Sequence, residues 1–316
     1  MSKTKEFVKK GLLAIGYELK KKRSLVATPI KTRIIESFVS NGSQPWSYGY
    51  NEFKEEQILS VLENQTIMKK FLNQDQLPIS FGKGIDERIV EYPWFFSNAE
   101  ILPEQHLHYL DAGPVMNHEF IVDRAIKLSK NVHFTTLSHE KNCFQNLDIS
   151  YLFADLVSLP VKDDFYDLIS CISTLEHVGC NNECYGSKGI SLSENQKDFT
   201  YLDAAKELFR VLKPGGTLYI TVPFGRYMHL GMIQQFDNEM LKKLLQVFAR
   251  TTNKCDFFKY TIRGWQKSNQ EECKDVIFVK WLPTSLINEA FPKPHPVEKD
   301  QAAAARAVCC ITVTKR

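Results

Sequence analysis

The chain has 316 residues, 43% hydrophobic and 24% charged, with a formal charge of +3. That is apolar material enough for one large domain, or for one domain plus a substantial extension, and too little net charge to argue for a nucleic-acid partner. No run of about 18 apolar residues occurs, so no transmembrane helix is expected; GLLAIG near the start is too soon interrupted by Lys20–Arg23 to be a signal peptide.

In chain order, residues 3–23 set Phe7, Val8, Leu12, Ile15 and Leu19 at roughly helical spacing among lysines. This predicts a basic amphipathic helix, either packed on the main domain or lying against an anionic membrane as a peripheral contact. Asn41-Gly42-Ser43 punctuates the chain, and a second helix is expected over about 52–73, before Pro78. The stretch DERIVEYPWFF (86–96) mixes charges with aromatics. Arg88, Glu91 and Tyr92 are its candidates for binding substrate, while Trp94, Phe95 and Phe96 equally suit a packing role. Residues 1–100 thus read as a helical N-terminal extension that covers the substrate or faces a membrane.

From about residue 106 strands and helices alternate. LHYLDAG, NVHFTTL, ISYLFADL, FYDLISCIST and TLYITVP read as five strands. Helices are expected in HEFIVDRAIKLS, in DFTYLDAAKELFRVL and over 237–249, with KPGG as a turn. CDFFKYTIR and AAARAVCCITVTK suit an antiparallel edge pair. The expected fold of residues 101–316 is therefore α/β, a doubly wound, mostly parallel sheet with antiparallel C-terminal edge strands. Of eight cysteines, Cys143, Cys171, Cys309 and Cys310 sit in apolar contexts. Cys180 and Cys184 are spaced CxxxC without a second pair, so no metal site is expected. The expected setting is the reducing cytoplasm, with the inner face of a membrane as a peripheral location.

Ligands of such sheets bind at the carboxyl ends of strands, near the switch in strand order. That rule selects Asp111 and Gly113 after the first strand, Glu140 after the second, Asp155 and Leu156 after the third, and the run Ser173 to His177 after the fourth. Glycine there permits a close backbone approach, and a carboxylate can accept from ribose hydroxyls or an adenine amino group. HYLDAGPVMNHEF, YLFADL, LPVKDDFYDLISCISTLEHV and FRVLKPGGTLYITVPFG together resemble the class I S-adenosylmethionine-dependent methyltransferases. LDAGPVMNH, TLEHVG, VPFG and GIDERIVEYPW also resemble a subgroup associated with glycan and polysaccharide biosynthesis.

The resemblance implies S-adenosylmethionine as cofactor, held by Asp111, Gly113, Asn117, Glu140, Asp155, Leu156 and Ser173, and a saccharide hydroxyl as methyl acceptor. Two features depart from the family pattern. The glycine-rich turn DxGxGxG is here Asp111-Ala112-Gly113-Pro114-Val115-Met116-Asn117, so Asn117 or His118 is expected to replace backbone contacts. Glu140 also falls late after its strand. For a general base, His177 is the foremost candidate, with His229 and Asp237 as rivals; the residues alone leave the three unranked. Other readings are a small or lipid-linked acceptor, or a non-catalytic binding module. A dinucleotide oxidoreductase is disfavoured because G-x-G-x-x-G is absent after the first strand.

Overall fold

The structure, a computed structural model, describes residues 29–100, 108–140, 142–144, 146–181, 196–249, 251–279 and 298–316. The basic helix expected over 3–23, and Cys184, lie outside them. None of the described helices is long and apolar enough to cross a membrane. In chain order come α1 (Pro29–Ser40), α2 (Tyr50–Glu63), α3 (Gln65–Asn73), α4 (Arg88–Ala99), β1 (His108–Ala112), α5 (Val122–Ala125), β2 (Asn131–Thr136), β3 (Ile149–Phe153) and β4 (Tyr166–Ile172). They are followed by α6 (Tyr201–Val211), β5 (Leu212–Pro223), β6 (Met228–His229), β7 (Gln234–Gln235), α7 (Asn238–Val247), β8 (Thr252–Thr261), β9 (Gly264–Ser268), α8 (Gln270–Cys273) and β10 (Ala307–Thr314).

The chain divides into two compact units. The first comprises the described residues within Met1–Ser97, Phe258–Lys267 and Val279–Arg306; the second those within Asn98–Phe257, Ser268–Phe278 and Ala307–Arg316. Two later segments thus join the first unit, and two join the second.

In the first unit, the single helix expected over 52–73 is broken in two. Asn64 ends α2 in an extended conformation, and its side chain accepts from the Thr66 and Ile67 amides to cap α3. Phe38 packs on Phe53 at 5.1 Å between ring centroids. A cluster of charges lies beneath these helices. The Tyr50 hydroxyl donates to Asp86 Oδ2 at 3.0 Å and accepts from the Asp86 amide at 2.8 Å, and Lys54 Nζ lies 2.8 Å from the same carboxylate. Arg88 pairs with the fully buried Glu91.

Glu87 accepts from the Ala305 amide at 3.2 Å. Burial, with the Asp86 and Glu91 charges beside it, pushes its carboxyl from the ordinary 4.5 up to about 8. The folded state therefore holds a proton there that the unfolded chain releases, so this group's contribution falls as pH rises from about 4.5 to about 8. Glu87→Gln keeps the acceptor and removes the titration. We expect the variant to exceed the wild type by about 1–3 kcal/mol near pH 9 and to lose most of that margin near pH 5. Urea midpoints at the two pH values check this; an unchanged margin would show that Glu87 does not titrate in that window.

In the second unit the strands run in the order β3-β2-β1-β4-β5-β10-β8. β1 pairs in parallel with β2 on one side and β4 on the other. The chain thus winds outward from β1 to β3, returns to β4, and winds the other way, which makes the β1/β4 crevice a switch point. β10 lies antiparallel to β5, from Val308 opposite Pro223 to Thr314 opposite Thr217. β4 is almost wholly buried, as expected of a central parallel strand covered on both faces. α6 covers one face with Tyr201, Ala204, Ala205, Leu208 and Val211, spaced three and four residues apart. α7 adds Met240, Leu241 and Leu244 to the same core.

Two local features differ from the expected ones. KPGG lies inside β5, where the pairing with β4 jumps from Tyr166 opposite Leu212 to Leu168 opposite Thr217; the extra residues form an irregularity with Gly215 at φ 79°. The helix expected in HEFIVDRAIKLS is one turn, α5, running into the 3-10 turn Ile126–Leu128. Its entry residue, Ile121, supplies no capping side chain. At the amino ends of the strands, Asp167 accepts from the His108 amide at 3.0 Å and from Lys213 Nζ at 2.8 Å. It ties β1, β4 and β5 together at the end away from the crevice.

Candidate functional site

The site is built on the carboxyl ends of β1 to β4. Asp111 is fully buried. Its Oδ1 accepts from Ser170 Oγ at 2.6 Å and its Oδ2 from the Met116 amide at 2.7 Å; Ser170 Oγ is also 2.7 Å from the Tyr109 hydroxyl. Asp111 therefore shapes the turn 113–117 and fastens it to β4. Gly113 holds φ 82°, and a Cβ there would meet the Thr174 side chain at 2.3 Å. This glycine is the point where the loop after β1 meets the loop after β4.

Asn117 is buried. Its Nδ2 donates to the Asn142 carbonyl at 2.9 Å and its Oδ1 accepts from the Tyr151 hydroxyl at 2.9 Å. That hydroxyl in turn accepts from the Phe144 amide at 3.0 Å. The lost glycines of the turn are thus replaced by a side-chain network that binds turn, loop and β3 together.

Glu140 and Asp155 follow the neighbouring strands β2 and β3. Glu140 Oε1 accepts from Thr136 Oγ1 at 3.0 Å, and its Oε2 has no partner among the described residues. Asp155 is exposed; its Oδ1 accepts from the Val157 amide at 3.1 Å. Leu156 turns into the core. Leu137 and Phe153, at the ends of the same two strands, are 40% and 53% exposed, and the His139 ring lies 4.6 Å from that of Phe153. Two carboxylates with accepting oxygens beside an exposed apolar rim suit a nucleoside: hydroxyls and an amino group for the acids, a flat base for the rim.

After β4 comes Ser173 at φ 45°, a left-handed conformation uncommon for serine. Its amide donates to the Thr221 carbonyl at 3.0 Å and its Oγ to Glu176 Oε1 at 2.6 Å. His177 closes the 3-10 turn Leu175–His177, and its Nδ1 lies 2.8 Å from the Met232 carbonyl. Met232 stands at the tip of the β6/β7 hairpin, in which Met228 faces Gln235 and His229 faces Gln234. His229 Nδ1 accepts from the Gly231 amide at 3.4 Å, and its Nε2 is buried without a partner among the described residues.

Asp237 is engaged on both oxygens. It caps α7 by accepting from the Met240 amide at 3.0 Å, and Lys197 Nζ lies 2.6 Å from its Oδ2. The hairpin was not singled out as a unit from sequence; the available signal was Gly231 between His229 and two glutamines. Arg88, Glu91 and Tyr92 belong to the first unit, where Arg88 and Glu91 pair with each other. Among the described residues no cluster of three or more metal-ligating side chains occurs.

Residues 121–220 match the protein family described as "Methyltransferase domain", less than a third of the chain. No curated protein matches it. Among solved structures, the chain is similar to the N-methyltransferase NodS from Bradyrhizobium japonicum WM9, crystallised with S-adenosyl-l-homocysteine. The identity there is 9% and the TM-score 0.39, over 83% of this chain and 98% of that one. It is also similar to the Burkholderia thailandensis 1,6-didemethyltoxoflavin-N1-methyltransferase, at 12% identity and a TM-score of 0.41 over 93% of each chain. Likenesses this distant carry nothing about acceptor or residue roles. The strand order, the antiparallel last strand and the domain match together make this a class I methyltransferase fold, whose cofactor is S-adenosylmethionine.

Proposed function

We propose that the chain is an S-adenosylmethionine-dependent methyltransferase that acts on a hydroxyl of a small molecule, a saccharide of a glycan or glycan precursor. The sequence resemblance to the polysaccharide-associated subgroup supports the saccharide. The observation that carries the hydroxyl is His177: a histidine at the mouth of the β1/β4 crevice with its Nδ1 on the Met232 carbonyl. A carbonyl only accepts, so Nδ1 bears the proton and Nε2 is the basic atom. Asp237, tied to Lys197 and to its helix, is the weakest of the three candidate bases.

When bound, the cofactor supplies an activated methyl group on a sulfonium sulfur. What the chain adds is position and a proton acceptor. Glu140 would take the ribose hydroxyls and Asp155 the adenine amino group, with the base on the rim of Leu137 and Phe153. Asp111, Gly113, Asn117 and Ser173 hold the loops that frame the methionine part. His177 would take the hydroxyl proton as the oxygen attacks in line, a contribution of about a hundred- to ten-thousandfold in rate.

Calorimetric titration with S-adenosylmethionine and S-adenosylhomocysteine tests the cofactor half. One-site binding is expected. Glu140→Ala and Asp155→Ala should each weaken it by about ten- to a hundredfold, the worth of one hydrogen bond to a charged group. Both side chains lie at the rim, so thermal stability should stay within about 0.5 kcal/mol of the wild type. Folded wild-type protein that binds neither ligand at millimolar concentration would favour the non-catalytic binding module instead.

A further inference from the structure

In the first unit, α1 and α2 turn toward each other two faces that are not wholly apolar. On α1 the face is Thr32, Ile35, Glu36 and Val39; on α2 it is Phe53, Glu56 and Gln57, both at the three- and four-residue spacing of one helical face. Together they line a cavity of about 60 Å3, room for more than one water-sized group. A seam between two helices is ordinarily filled by apolar side chains. Ile35, Val39 and Phe53 supply that part here, and two carboxyls and an amide interrupt it.

The three polar groups lack what their surroundings demand. Gln57 is 3% exposed, and its Oε1 is buried without a hydrogen-bond partner among the described residues. A buried amide oxygen in that state is rare and calls for a partner. Glu36 and Glu56 are half-buried, and neither stands within ion-pair distance of a cation among the described residues. Lys31, whose charge reaches Glu56, is itself paired with Glu55 at 2.7 Å. Burial lifts the Glu56 carboxyl above the ordinary 4.5, with Lys31 acting the other way. The lining thus holds two acidic groups and a spare acceptor, and no positive charge.

We propose that the cavity between α1 and α2 binds a small organic ammonium ion, a primary alkylammonium, held by Glu36, Glu56 and Gln57. An ammonium carries three N–H donors. Two serve the carboxylates in charge-assisted bonds, and the third serves the Gln57 oxygen, which a half-turn of the terminal amide exchanges with its nitrogen. Ile35, Val39 and Phe53 receive the alkyl part, and an aromatic ring there is compatible with the charge. A metal ion fits less well. Two carboxylates leave most of a coordination shell unfilled, and the aliphatic walls would displace its waters without replacing them. The site lies wholly within the first unit and does not rest on the methyltransferase reading.

The test is a titration of the full chain, 15N-labelled, with n-propylammonium chloride. It is followed through the side-chain amide of Gln57 and the backbone amides of Ile35, Val39 and Phe53. n-Propanol at the same concentrations, and sodium and magnesium chloride at matched ionic strength, are the controls. Saturable shifts are expected with the ammonium alone, at a dissociation constant on the order of 1 mM. Shifts with magnesium and none with the ammonium would overturn the proposal in favour of a metal site. No saturable shift in folded wild-type protein at high millimolar ammonium would overturn it too, and would leave Gln57 to an ordered water.

Variants separate the site from general attraction. Glu36→Gln and Glu56→Gln should each weaken binding by about tenfold or more. Glu63→Gln removes the same charge from the exposed end of α2 and should change binding by less than about twofold. Equal effects at all three positions would mean that the ammonium is held by net charge alone, and would overturn the site. Gln57→Leu should lose affinity while melting no lower than the wild type, because it removes an unsatisfied group. Full affinity in that variant would overturn the place given to the amide. Thermal melts of every variant separate lost binding from lost folding.

Discussion

Asp111→Ala is expected to lower folding stability by about 3–5 kcal/mol, the range for breaking a buried, hydrogen-bonded charge. It should also abolish measurable S-adenosylmethionine binding. The carboxylate is fully buried and accepts from both the Ser170 hydroxyl and the Met116 amide. Alanine leaves two buried donors without acceptors, each costing about 1–3 kcal/mol. The Met116 amide is the less able to adapt, because a hydroxyl can rotate and a backbone amide cannot. Asp111→Asn offers one acceptor oxygen in place of two and sets an NH2 against one of the two donors, so an intermediate loss is expected. Urea midpoints of the three proteins give the order wild type, Asn, Ala. Alanine within about 1 kcal/mol of the wild type would mean that the turn relaxes to bring water to Met116. Affinity for the cofactor should fall in the same order, because the turn framed by Asp111 is the one proposed to frame the ligand.

The fold was legible where periodicity and turn chemistry agree. β4, a mostly apolar run ending before Ser173, and α6, with its apolar face three and four residues apart, need no tertiary information to be placed. Elements that depend on one side chain's choice of partner were not. Asn64 lies inside a helical pattern, and nothing local says that it will cap α3 instead of continuing α2. KPGG reads as a turn from its glycines, but the Lys315 carbonyl and amide hold Gly215 and Gly216, and that contact is remote in sequence.

The site shows the same divide. The rule that ligands sit at strand ends selected Asp111, Gly113, Glu140, Asp155 and Ser173, and the structure gathers their loops at the same ends of β1 to β4. Whether a given side chain faces a ligand or its own protein could not be read, because that depends on pairings such as Asn117 with Asn142 and Tyr151, 25 and 34 residues away. The bases are the sharpest case. His177, His229 and Asp237 are equivalent as letters, and they separate only through a carbonyl, an amide and a lysine brought by the hairpin and the segment before α6.

Gly113→Ala is expected to cost about 3–4 kcal/mol, and its cause can be divided by one further substitution. The backbone part follows from φ 82°, a conformation that costs an alanine about 1–2 kcal/mol. The packing part follows from Thr174: the new Cβ would stand 2.3 Å from Cγ2, 2.4 Å from Oγ1 and 2.9 Å from Cβ of that residue. Threonine cannot readily swing aside, because it is β-branched and its Oγ1 donates to the Ile172 carbonyl at 2.9 Å. Thr174→Ala removes the two nearer contacts and keeps the third. In a double-mutant cycle, Thr174→Ala should therefore recover about 1–2 kcal/mol of the Gly113→Ala loss, a coupling of the size found between touching residues. Strict additivity would assign the whole cost to the backbone. The coupling matters beyond stability, since Thr174 stands between the strained Ser173 and the turn that carries His177. A Cβ at position 113 pushes on that connection, so the variant should lose methyl transfer even under conditions where it remains folded. Activity recovered in step with stability in the double variant would tie the loop after β1 to the placement of the base.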